Sequence, residues 1–245
     1  MNPLRLIGIV GQTGSGKTSL SYQIADHIIK QGLKPVIILA DSRTLFKELD
    51  IASAKPSKSQ LSTYKHQMVD ILNPGQKYTV YQYQQAVKTI FGNLADNEIP
   101  ILVGGSGLYF DATIYDYQFP QDKSDRDRNT TKYQTKIFGF HYPRQELRAR
   151  LAERLDLMIE EGLIKEVEEI MVAYGSNCIA LRSTTANRAR DYLLGLETME
   201  ETRRLIVRDN LSLAKRQFTW FKRNREISWN LPLAQILGEV DSLVQ

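Results

Sequence analysis

Cysteine is almost missing from this chain. Cys178 is the single one among 245 residues, which excludes an intrachain disulfide and any metal site built from several thiolates. Histidine is nearly as scarce. His27, His66 and His141 stand far apart, without the spacing of a ligand set, and read as ordinary surface or core side chains. No apolar run approaches the ~20 residues of a membrane span, so no membrane association is expected. The apolar start, MNPLRLIGIVG, lacks a basic leader and a small-residue cleavage site. It reads as a strand and not as a signal peptide. A reducing cytoplasm is the expected location. No internal repeat and no low-complexity tract is present.

What is there is ordinary in amount. Hydrophobic residues make up 42% and charged residues 24%, with a formal net charge of +4 and a pI near 9.0. That is the composition of a globular chain with room for an anionic partner. Its length gives a core for about one or two domains. Residues 1–245 are read as a single catalytic domain of phosphate-loop type, acting as a monomer.

The pattern along the chain supports an α/β fold. Leu4 to Val10, Pro35 to Ala40 and Pro100 to Val103 are short buried-strand runs. Between them, Lys17 to Lys30 and Thr79 to Leu94 have helical spacing, with Gly32 ending the first and Thr79 a candidate N-cap of the second. Residues 57 to 66 read as helix and loop. Met68 to Leu72 reads as a short strand closed by Asn73-Pro74-Gly75. Alternation of strand and helix predicts a parallel sheet of P-loop NTPase type with flanking helices. Residues 120–134 are polar and aperiodic and read as a linker. Lys136 to Tyr142 is a further strand candidate. Residues 143–245 read as mainly helical, in segments 143–159, 161–174, 184–194 and 198–224, with a last helix from Leu231.

The motifs sit where such a sheet places ligands, beyond the carboxyl ends of its strands. Residues 11–18, GQTGSGKT, match the phosphate-loop pattern without a gap. Gly11, Thr13, Gly14, Ser15 and Gly16 turn backbone N–H groups toward one anion, Lys17 adds a full charge, and the Thr18 hydroxyl is the usual magnesium ligand. Which phosphate compound is held stays open at this point. Asp41, after the second strand, has three readings: a water-mediated magnesium contact, a general base, or a helix cap. After the third strand come Gly104-Gly105-Ser106, where a hydrolytic ATPase would carry a magnesium-binding aspartate. That favours group transfer over ATP hydrolysis.

Seven stretches, in order, resemble the tRNA dimethylallyltransferases, also called tRNA isopentenyltransferases. They are GQTGSGKT (11–18), ADSRTLFKELDIASAKPS (40–57), HQMVDILNP (66–74), YTVYQYQ (78–84), PILVGGSGLYF (100–110), RLDLMIEEGLIKEV (154–167) and AKRQFTWFKR (214–223). The resemblance implies that the loop holds the diphosphate of dimethylallyl diphosphate. The N6 amine of an adenine beside the tRNA anticodon then attacks C1 of the allyl group. It implies Mg²⁺ at Thr18, Asp41 as base, Ser106 near the acceptor amine, and Lys17 and Arg154 on the diphosphate. Arg154 also has a plain reading as a solvated helix charge, and Lys55 is a weaker candidate. The implied tRNA contacts are Asp41, Ser42, Arg43, Thr44, Arg128, Lys215, Arg216, Lys222 and Arg223. Residues 203–225 hold eight basic side chains against Asp209; this face either follows an RNA backbone or is simply solvated. Phe218, Trp220 and Phe221 read as core.

Three departures from the family pattern stand out. The family's inserted helical region, with its anticodon-stem grip, is reduced to Pro120–Gln134, including Arg126 and Arg128. The Ile-Gly-Tyr-Lys/Arg-Glu segment aligns with Thr184 to Arg188 and lacks its glycine and tyrosine. Gly-Thr-Ala-Lys-Pro has become Ala52 to Pro56. Beside tRNA prenylation stand three other readings: prenyl transfer to free adenine nucleotides, a non-catalytic RNA-binding protein, and a nucleotide kinase.

Overall fold

The computed structural model describes residues 3–117, 131 and 133–244. Strands β1 (Arg5–Gly11), β2 (Lys34–Leu39), β3 (Lys65–Gln67), β4 (Glu98–Gly104), β5 (Gln134–Phe140) and β6 (Ile227–Trp229) form one sheet in the order β3-β2-β4-β1-β5-β6. Every pairing is parallel. Side chains alternate along β1, so two cores form. Leu6 and Val10 join one, with Val36, Ile38 and Leu102. Ile7 and Ile9 join the other, with Ile37, Ile101 and Val103. Helix α1 (Lys17–Lys30) and helix α9 (Leu233–Val244) cover the second core through Leu20, Ile24, Ile28, Ile236 and Val240. Burial on both faces explains why the central strands are near-continuous apolar runs.

The first core is closed by helices from both halves of the chain. Helix α3 (Val80–Gly92) contributes Tyr83 and Val87, and helix α4 (Gly107–Ile114) contributes Phe110 and Ile114. Helices α5 (Arg144–Glu160), α6 (Leu163–Tyr174), α7 (Thr184–Leu193) and α8 (Met199–Phe221) complete it. The short α2 (Lys58–Thr63) packs beside β3. Thr79 caps α3 as expected, in a capping box with Gln82. Thr198 and Glu201 make the same box at the start of α8.

Some expectations need correction. Met68 to Leu72 is not a strand: Met68 and Asp70 have φ of 61° and 54°, which breaks an extended run, and only a Phe46–Leu72 bridge remains. The edge strand is instead β3, one turn earlier. β6 and α4 carried too few periodic residues to be recognised. Residues 118–130 and 132 lie outside the described residues, and with them most of the expected 120–134 linker.

The carboxyl ends of β2 and β4 touch. A side chain on Gly104 would overlap the Ala40 carbonyl. Gly104→Ala is therefore expected to cost about 2–3 kcal/mol by overpacking. Gly238→Ala, in α9 with open space around it, is expected to gain about 0.5–1 kcal/mol from helix propensity. Urea midpoints of the two variants check both signs.

Candidate active site

The loop between β1 and α1 is bent so that Gly14 and Gly16 take φ of 75° and 89°, a region where only glycine is unstrained. The Lys17 side chain folds back beneath it. Its Nζ donates to the Gly11 carbonyl at 3.2 Å and the Gln12 carbonyl at 2.7 Å. Burial pulls the Lys17 pKa from 10.5 down to about 8, opposed by Asp41 and assisted by Arg154. The Ser15 hydroxyl is buried and has no hydrogen-bond partner among the described residues. It lines the same cavity as Lys17, a pairing of donors that suits an anion.

Asp41 follows β2. Its Oδ1 accepts the Arg43 backbone N–H at 2.8 Å, and the Thr44 hydroxyl donates to its carbonyl at 3.2 Å. No helix begins here, so Asp41 caps a turn and not a helix. Oδ2 has no hydrogen bond among the described residues. Ser106, after β4, accepts the Ser42 N–H on its Oγ at 3.2 Å and donates its own N–H to the Ala40 carbonyl at 3.1 Å. The β2 and β4 ends thus hold the Asp41 turn and the Ser106 hydroxyl side by side. Arg43 reaches the Ile179 carbonyl at 3.3 Å, and burial lowers its pKa, with Asp41 opposing.

Two hollows share a wall here. A cavity of about 330 Å³ is lined by the loop from Thr13 to Thr18, Asp41, Thr44, Gly104, Arg154 and Gln217. A smaller recess of about 80 Å³ has apolar walls from Leu151, Leu155, Met158 and Ile206, and polar ones from Thr184 and Asn210. Thr13, Asp41, Ser53, Arg154 and Leu213 border both. Arg154 is set into the wall; burial lowers its pKa and Asp41 raises it. Arg154 is thus half-buried at the cavity and not a fully solvated helix charge. Lys17, Arg43 and Arg154 outnumber Asp41, so the site is electropositive.

Other candidates lie elsewhere. Lys55 is a structural cation: its Nζ holds the Phe46 carbonyl at 2.8 Å, Asp70 at 2.5 Å and Asp50. Lys215, Arg216, Lys222 and Arg223 are exposed on and just past the outer side of α8. Phe221 is core, Trp220 donates to Asp111 at 2.8 Å, and Phe218 stacks on His141. Arg128 and Arg126 lie outside the described residues. Gln217 was missed. Its Oε1 accepts the Thr13 N–H at 2.7 Å, tying the phosphate loop to α8. The signal was present in AKRQ, where Gln217 lies three residues after buried Ala214 and four before buried Phe221.

Comparison with known proteins bears on the family and the fold. The family model for IPP transferase matches residues 44–132 and 121–224, in two pieces that overlap at the expected linker. The tRNA dimethylallyltransferase of Acholeplasma laidlawii is 32% identical over 262 residues, covering 89% of each chain. That of Desulforudis audaxviator is 28% identical over 289 aligned residues, covering 93% of this chain and 92% of its own. Among solved structures, the full-length tRNA isopentenylpyrophosphate transferase of Bacillus halodurans superposes with a TM-score of 0.87 at 22% identity, covering 98% of this chain and 96% of the other.

The low Lys17 pKa has a measurable consequence. An anion favours the protonated ammonium, so binding of inorganic diphosphate above pH 8 should take up a proton at Lys17. Calorimetry at pH 8.5 in buffers of different ionisation enthalpy should show that uptake. Lys17→Met should reduce it and weaken binding at least about tenfold.

Proposed function

This chain belongs to the IPP transferase family, and on that premise we propose how its cavity works: a dimethylallyl group passes from dimethylallyl diphosphate to N6 of an adenine next to the anticodon in tRNA, and diphosphate is released. The observation that carries the reading is the position of Asp41. Its carboxylate stands on the wall common to the anion cavity and the recess, with one oxygen held by Arg43 N–H and the other free of protein hydrogen bonds among the described residues.

The diphosphate of the donor lies on Gly11, Thr13, Gly14, Ser15, Gly16, Lys17 and Thr18, with Arg154 lining the same cavity. The N6 lone pair attacks C1 of the allyl group. The C1–O bond breaks and its electrons leave on the diphosphate, where Lys17, Arg154 and the loop N–H groups stabilise the growing charge. The N6 proton passes to Asp41 Oδ2. Ser106 keeps a hydroxyl hydrogen to orient the acceptor amine, because its Ser42 contact uses only a lone pair. Thr18, exposed at the cavity, would hold Mg²⁺ together with diphosphate oxygens and water, and the ion when bound would share the leaving-group charge. An all-oxygen set of this kind suits Mg²⁺, and the described residues contain no group of three or more His, Cys, Asp or Glu that would hold an ion without substrate.

The partner is tRNA. The Asp41-Ser42-Arg43-Thr44 turn meets the acceptor base, and Lys215, Arg216, Lys222 and Arg223 meet its backbone. The target adenine has to leave its stack to reach Asp41, at a cost of roughly a few kcal/mol. The two-piece family match and the aligned lengths above 245 residues support a compact member in which 120–134 replaces an inserted region. No described helix is long and apolar enough to cross a membrane. A cytoplasmic monomer is our reading of its state.

The test is prenyl transfer with labelled dimethylallyl diphosphate and Mg²⁺, offering bulk tRNA and free adenine nucleotides in parallel. Label on N6 of adenine from digested tRNA is expected. Label on the free nucleotide alone would overturn the acceptor. Asp41→Asn should lower turnover by about 10²–10⁴ while leaving inorganic diphosphate affinity within about twofold. Unchanged turnover would remove Asp41 as base.

A further inference from the structure

Helices α5 and α8 run antiparallel, and their outer faces enclose a furrow of about 480 Å³. Five arginines line it, Arg144 and Arg148 from α5 and Arg203, Arg204 and Arg208 from α8, against a single acid, Asp156. Arg203 is paired with Asp156, and Arg208 with Asp209 at 2.8 Å. Arg144, Arg148 and Arg204 are exposed and have neither an ion pair nor a side-chain hydrogen bond among the described residues. At one end Arg144 also borders a second depression, which runs on past Lys215, Arg216 and Arg223. The cations therefore form one strip. From Arg204 to Arg216 it follows α8 for about 18 Å at the helical rise, and Arg223 lies just past its end.

We propose that this furrow is a backbone-binding track for the tRNA stem that flanks the anticodon loop. The proposal rests on the tRNA reading above and extends the basic face of residues 203–225 across to Arg144 and Arg148 of α5. The chemistry favours a polyanion over a small anion: the free guanidiniums are strung along two helices and do not converge on one point. Guanidinium forks suit phosphate oxygens in that arrangement. The furrow floor, Ala152, Leu155, Val207 and Leu211, is recessed and presents nothing that reads bases. Contacts here position the RNA and do not select its sequence.

The furrow is separate from the chemistry. The furrow and the recess beside Asp41 lie on opposite sides of the seam between α5 and α8, with buried Leu155 bordering both. A strand lying in the furrow cannot deliver its own base to Asp41. The nucleotides it holds are neighbours of the target adenine and not the target itself. For a chain whose expected anticodon-stem grip is trimmed, a track made by α5 and α8 supplies a hold on the stem from the catalytic domain.

The experiment compares the full chain with Arg144→Gln/Arg148→Gln/Arg204→Gln. Fluorescence anisotropy gives tRNA affinity over a range of KCl concentrations. Loss of three phosphate contacts should reduce the slope of log affinity against log salt by about 2 to 3. At 150 mM KCl the KM for tRNA should rise about tenfold or more, with kcat at saturating tRNA and inorganic diphosphate affinity unchanged. The single reversal Arg148→Glu should weaken tRNA binding in the same direction. The control Lys30→Gln/Lys34→Gln/Lys47→Gln removes equal charge from exposed positions elsewhere and should leave most of the slope intact. An unchanged slope in the arginine variant, or an equal fall in the lysine control, would overturn the track. The binding slopes need no turnover. If the wild-type chain labels no tRNA, the reading of function fails while the slopes still decide the furrow.

Discussion

One half-buried charge organises this site. The Lys17 ammonium folds beneath the phosphate loop, where two carbonyls replace part of its hydration. Desolvation is the largest influence on it and brings its pKa to about 8. A desolvated cation is costly unless paired. Asp41 offsets part of the cost, and Arg154 adds to it. The Ser15 hydroxyl has no hydrogen-bond partner among the described residues. Ammonium, hydroxyl and guanidinium line one cavity, a donor set that suits an anion.

That arrangement depends on how close the backbone comes at two points. Gly104 lets the ends of β2 and β4 touch, which sets the Asp41 turn against Ser106. Gln217 holds the loop from the other side by accepting the Thr13 N–H. Helix α8 therefore has two working sides. Its inner side buries Ile206, Ala214 and Phe221 and braces the phosphate loop. Its outer side carries Arg204, Arg208, Lys215 and Arg216 into solvent. One helix thus carries the exposed basic face and, through Gln217, braces the phosphate loop.

Much of this was legible because the relevant signals are local. The phosphate loop needs glycines at left-handed positions and a lysine at a helix start, and GQTGSGKT supplies both in eight residues. Asp41 and Ser106 were legible as polar stops after apolar runs. Thr79 and its Gln82 partner were legible as a cap three residues apart. Arg154 was ambiguous, since Arg148, Arg150 and Arg154 differ only in which side of α5 they occupy. The position of β3 was misjudged because Met68 and Asp70 look extended in composition and are left-handed in fact. β6 is three residues long, too short for any period to show.

Chain order thus decides the elements, the phosphate loop and which polar side chains follow the strands, because each is a matter of a few neighbouring residues. Tertiary structure decides which charges are free. Lys55 looked like a site residue and is consumed by Asp50, Asp70 and the Phe46 carbonyl. Arg154, read either as a diphosphate contact or as a solvated helix charge, lies in the wall beside Asp41. Arg144 and Arg148 became part of a furrow only when α8 packed against α5. Partnership between charges depends on distances across the fold, and no spacing along the chain encodes those distances.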